Sequence, residues 1–124
     1  MHISLHRLRL FAAYCLFLML AGLFIGGHQP GSGNLFPPPW DKLVHFAFYG
    51  VLTILAAIAF PKIPIPWLGL MIVGIGGADE IHQIFVPGRH VGLDDLTADV
   101  VGCLPALFLV SWFCAKLELY YLNQ

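Results

Sequence analysis

Asp79-Glu80-Ile81-His82-Gln83, followed beyond a Val86-Pro87-Gly88-Arg89 turn by Asp94-Asp95 and Asp99, places five of the chain's seven carboxylates between two strongly apolar stretches. Carboxylates near a bilayer core are expensive and tend to face a protein interior or a wet cavity. Beside an imidazole they can exchange protons with a substrate or hold a metal ion. Upstream, Asp41, His45, Tyr49 and Thr53 recur every fourth residue and so follow one slowly winding helix face. Along that helix His45 lies about 6 Å and Tyr49 about 12 Å from Asp41. A carboxylate within reach of an imidazole holds its tautomer and raises its basicity. The same face also reads as plain architecture, with Asp41 favoured by the helix dipole and His45 and Tyr49 pairing between helices.

Glu80 and Asp79 each share a face with Gln83, whereas His82 points about 200° away from Glu80. Glu80 lies about 9 Å in from Val86, the expected end of its helix, and Asp99 about 6 Å inside the next one. Neither depth suits a merely solvated charge, although Asp94 or Asp95 can act as a helix cap with Thr97 in the first turn. His45, Glu80 and Asp99 are therefore the candidates for base, acid or metal ligand. Asp41, Lys42, Tyr49, Asp79, His82, Gln83, Arg89 and Asp95 are candidates for binding a ligand. Arg89 would either pair with Asp94 or Asp95 or hold an anionic group such as phosphate. An oxygen-rich donor set suits Mg²⁺, Ca²⁺ or Mn²⁺. There is no His-Glu-x-x-His motif, and no Ser or Cys nucleophile stands beside a base.

The elements that must position these groups are apolar. The chain is 59% hydrophobic and 10% charged, with a mean hydropathy of +0.82, which places it among integral membrane proteins. Nothing in it is basic enough to suggest nucleic acid. Cys15, Cys103 and Cys114 sit inside apolar runs and read as small buried hydrophobes. Four transmembrane helices are expected at about 10–25, 42–60, 67–86 and 96–114. The first has no clean small-x-small cleavage site and reads as an uncleaved helix rather than a secretory signal. Residues 26–40 read as a Gly- and Pro-rich loop, with Trp40 and Trp67 as interfacial anchors. Gly74 with Ala78, and Ala98 with Gly102, give small-residue faces through which helices three and four would approach. Pro105 is tolerable in a membrane helix as a kink. The expected fold is all-α, four transmembrane helices packed as a small bundle in a single domain, residues 1–124.

Arg7, Arg9, Lys62 and Lys116 fall on one side of this bundle, Lys42 and Arg89 on the other. By the positive-inside tendency both termini are cytoplasmic. Six of the seven acids then lie together at the outer ends of helices two to four, and Glu118 alone lies inside.

The pattern Asp41-Lys42-x-x-His45-Phe46-x-x-Tyr49, then Asp79-Glu80-x-His82-Gln83-x-Phe85-x-Pro87-Gly88-Arg89, then Asp95-x-x-x-Asp99-x-x-Gly102 resembles the VanZ-like family of small bacterial membrane proteins. The likeness covers about residues 41–106, and helix one shares only its hydrophobicity. Many VanZ-like proteins carry Asn where this chain has Asp99. The resemblance implies a multi-helix fold in the bacterial cytoplasmic membrane and a link to the cell envelope, the family name coming from a member associated with teicoplanin resistance. It implies no particular reaction. Two functions follow. One is an envelope factor whose acidic outer pocket binds a glycopeptide, a lipid-linked precursor or a protein partner. The other is a membrane enzyme, metal-dependent or not, acting on a lipid-linked or headgroup substrate. A proton or ion pathway ranks below both, because the inner halves hold little that is polar besides Thr53 and Ser111.

In a chain whose own cysteines are replaced, single cysteines at Gly33 and Gly92 should react with a membrane-impermeant thiol reagent in intact cells. One at Lys62 should not. The opposite labelling pattern would put the acidic cluster in the cytoplasm.

Overall fold

Ser4 starts the first helix, its Oγ accepting the Arg7 backbone N–H at 3.3 Å. The computed structural model describes residues 4–29, 31–32, 35–87 and 92–122, with side chains as far as Lys116. Helix α1, Leu5–Ala21, is extended by a π-helical turn, Gly22–Gly26. It begins earlier than the apolar run because the cap lets Arg7 and Arg9 ride exposed on its first turns. Helix α2, Trp40–Ala59, follows Pro37-Pro38-Pro39, and α3, Ile65–Gln83, opens with a proline in its first turn, where no backbone donor is needed. Helix α4, Leu93–Leu122, runs unbroken through Pro105. The described residues contain no strand.

Among the described residues, three stretches are long and apolar enough to cross a membrane: Leu5–Gly26, Trp40–Ala59 and Leu93–Lys116. The expectation of four such spans is therefore corrected to three. The exception is α3, whose last turns carry Asp79, Glu80, His82 and Gln83 and dilute its hydropathy. Its end also differs from expectation. Because α3 stops at Gln83 rather than Val86, Glu80 lies only about 4.5 Å from the helix end. Because α4 begins at Leu93, Asp99 lies about 9 Å along it.

The distribution of side chains inverts that of a water-soluble bundle. Phe11, Phe17, Leu70 and Phe108 point outward, while Thr53, Asp79, Glu80, Gln83, Asp95 and Asp99 are buried. An apolar exterior is what a lipid solvent accepts, and buried polar groups then need partners within the protein.

The apolar core joins Leu16 of α1, Tyr49, Leu52 and Ala56 of α2, Leu68 and Ile72 of α3, and Cys103 of α4. The most extensive contact is between α2 and α4, with α1 against α2 and α3 mainly against α4. Glycine permits the central approach: a Cβ at Gly102 would stand 2.2 Å from the Phe46 carbonyl oxygen. Against α3, the close positions are Gly76, where a Cβ would lie 2.9 Å from Asp99 Oδ2, and Gly69, beside Leu107. The small-residue faces thus work differently from the expected pairing of helices three and four. Gly102 serves α2, and Gly74 faces open space. Four-residue spacing identifies a smooth face but not the helix that uses it.

Gly102→Ala should therefore lose roughly 1–3 kcal/mol or more, because backbone, unlike a side-chain tip, cannot swing away. Gly74→Ala should gain up to about 1 kcal/mol from helix propensity. Thermal or denaturant unfolding in detergent micelles measures both. A Gly102→Ala protein as stable as the parent would contradict so close a contact between α2 and α4.

Candidate functional site

The N-termini of α2 and α4, the C-terminus of α3 and the π-helical end of α1 meet at one end of the bundle. The first two bring Asp41 and Asp94 with Asp95 in their opening turns, where the helix dipole favours negative charge. His45 is the hub. Its Nδ1 lies 2.8 Å from Asp99 Oδ1, and its ring stacks on Tyr49 with centroids 6.4 Å apart. Glu80 approaches from α3, its Oε2 accepting the Gly92 backbone N–H at 3.2 Å. His45, Glu80 and Asp99 each offer one ligand atom within 4.8 Å of the others. Glu80 Oε1, Asp99 Oδ2, Tyr49 Oη and Asp41 Oδ1 are buried with no hydrogen-bond partner among the described residues.

A second cluster lies beside the first. Lys42 Nζ pairs with Asp41 at 3.1 Å, with Asp94 at 2.8 Å and with Asp95, its closest partner. These bonds tie the start of α2 to the start of α4. Lys42, expected among ligand-binding residues, is here held by three carboxylates of the chain itself. Asp94 and Asp95, expected as caps or partners of Arg89, are partners of Lys42. Arg89 lies outside the described residues. The signal for the link from Lys42 to Asp94 and Asp95 was absent from local spacing, since these two partners are more than fifty residues away.

The remaining candidates divide. Asp79 accepts a hydrogen bond from Gln83 Nε2 at 3.0 Å within α3. His82 turns away from the cluster, its ring 5.6 Å from that of Phe24 and 5.2 Å from that of His28. It braces α3 against the end of α1 and is not part of the His45 group.

Next to the cluster is a cavity of about 370 Å³. One part of its wall is polar, formed by Asp41, His45, Tyr49 and Asp79. The rest is mostly apolar, with Leu23, Leu35, Phe36, Val44 and Phe48, and Gly22 and Gly26 keep the α1 side open. Sequence reasoning missed this contribution of α1. The available signal was Gly22 and Gly26, four apart at the end of the first apolar run.

A family model described as VanZ/LLP1 matches residues 3–114. The chain belongs to the VanZ/LLP1 family. The match takes in α1 as well as the 41–106 motifs, and so includes every element that meets at the site. No curated protein and no solved structure matches the chain significantly.

In this VanZ/LLP1 family protein, removing Lys42 leaves the largely buried Asp95 without its cation. Lys42→Met should lower stability by roughly 1–3 kcal/mol, less than for a fully enclosed pair because Lys42 is partly exposed. Adding Asp95→Asn should restore part of the folded yield in micelles. Full folding of Lys42→Met alone would show that another group neutralises Asp95.

Proposed function

We propose that this VanZ/LLP1 family protein is a cell-envelope factor that binds the head region of an amphiphilic envelope ligand. Its proposed setting is the bacterial cytoplasmic membrane, where α3 would return through the bundle beside the three clearly apolar spans, leaving both termini inside and the acidic end of the bundle outside. The observation that carries this reading is the cavity, whose wall passes from Asp41, Asp79 and His45 to apolar side chains of α1, α2 and the intervening segment. Such a gradient matches a molecule that is polar at one end and greasy at the other. About 370 Å³ falls at the small end of ligand pockets. It suits a lipid headgroup with the start of its chain better than an entire glycopeptide. A link to teicoplanin sensitivity would then act through a lipid-linked precursor.

A second reading, a membrane enzyme acting on the same class of molecule, is favoured by one observation. The His45–Asp99 pair beside Glu80 resembles an oriented base next to a carboxylate.

Envelope lipid and precursor profiles of cells lacking the protein test both readings. Complementation uses the parent chain, Gly26→Leu, which fills the cavity from a position with open space, and Glu80→Gln. The binding reading expects Gly26→Leu to fail, and full complementation by it would overturn that reading. The enzyme reading expects Glu80→Gln to leave an unconverted lipid species that the parent chain removes. Normal profiles with Glu80→Gln would overturn it.

A further inference from the structure

We infer that His45, Glu80 and Asp99 form a binding site for one divalent cation of the Mn²⁺ or Zn²⁺ kind. The site does not depend on whether the neighbouring cavity takes a lipid headgroup. Geometry comes first. Ligand atoms held 2.0–2.6 Å from one ion stand at most about 5 Å apart. The ligand atoms of these three residues all fall within 4.8 Å of one another, although they come from three different helices.

Unpartnered oxygens supply the second observation. Asp99 is 1% exposed and Glu80 7% exposed, yet Asp99 Oδ2 and Glu80 Oε1 have no hydrogen-bond partner among the described residues. Each carboxylate uses its other oxygen to hold its place, Asp99 against His45 and Glu80 against the Gly92 N–H. That leaves one oxygen of each for an ion, and Gly76 gives the Asp99 carboxylate its room.

Charge is the third. Glu80 occupies the last turn of α3, where the helix dipole opposes a negative charge. Lys42 is engaged by Asp41, Asp94 and Asp95, and no described lysine or arginine forms an ion pair with Glu80 or Asp99. Among the described residues, His45 is the one basic side chain paired with either of these buried carboxylates, and a single imidazolium cannot balance both. A divalent cation supplies the missing charge and the missing ligand contacts together.

The donor set selects the ion. Imidazole suits Zn²⁺ and its neighbours, whereas carboxylates suit Mn²⁺, Mg²⁺ and Ca²⁺. A mixed set of one nitrogen and two carboxylates favours Mn²⁺ or Zn²⁺ over Mg²⁺, which keeps its waters and prefers oxygen. Three protein ligands leave a further coordination position open. Because His45 also lines the cavity, the ion would lie near the polar wall on which a ligand's head rests.

The test uses the full chain without a polyhistidine tag, in detergent micelles, stripped with EDTA and then titrated with Mn²⁺ or Zn²⁺ alone. Calorimetry and elemental analysis after desalting should find one ion per chain. Glu80→Gln and Asp99→Asn should each weaken binding at least tenfold, by analogy with losses of supporting ligands. Asp94→Asn, in the Lys42 cluster, and Gly26→Leu, in the cavity, should bind as the parent does. Loss of cavity function with retained metal binding would thus separate the two proposals. If the ligand variants do not fold, pulsed EPR of Mn²⁺ on the parent chain decides, since coordination by His45 gives an imidazole nitrogen coupling. A parent chain that retains neither ion, unchanged binding in both carboxylate variants, or bound Mn²⁺ without that coupling overturns the assignment.

Discussion

A carboxylate cannot be left facing lipid, and that constraint organises this bundle. Its outer surface is apolar, with Phe11, Phe17, Leu70 and Phe108 among the exposed side chains. Asp79, Glu80, Asp95 and Asp99 must therefore turn inward, and so the ends of α2, α3 and α4 have to meet. Among the described lysines and arginines, Lys42 is the one that pairs with acids at that end. By reaching Asp94 and Asp95 it sets the start of α2 against the start of α4. The His45–Asp99 contact, farther along the same two helices, repeats the tie.

Close approach makes these polar contacts possible. Lipid supplies no hydrophobic drive between helices, so packing depends on fit. Gly102 lets the α4 backbone meet α2 at Phe46, and Gly76 opens a place on α3 for the Asp99 carboxylate. Beneath the polar end, Tyr49, Leu52, Ile72 and Cys103 fill the space between the helices. Tyr49 belongs to both regions: its ring packs in the core and against His45, while its hydroxyl is a buried polar atom beside the cavity.

The first helix gives the site its other side. Its π-helical end places Gly22, Leu23 and Gly26 along the cavity, and Phe24 against His82. Single π-helical turns recur near functional sites because the extra residue per turn redirects the backbone. The VanZ/LLP1 match spans all four helices that meet there, so the cavity and the polar cluster belong to one family unit.

Much of this was legible in the residues. Hydropathy revealed a helical membrane protein, and the fourfold repeat Asp41, His45, Tyr49 identified a polar helix face. The expected depth of Glu80 and Asp99 singled out two of the four acids that the structure buries, whereas Asp79 and Asp95 are buried through contacts between helices or within α3 that depth along one run does not reveal. The tertiary structure decided what depends on distance between helices. It assigned Lys42 to Asp94 and Asp95, turned His82 toward Phe24, moved Gly102 to the α2 contact, and reduced the clear spans to three. Spacing along one helix sets which face a side chain occupies, because 3.6 residues make a turn. Which neighbour that face meets follows from packing several helices at once, and no single stretch of sequence contains it.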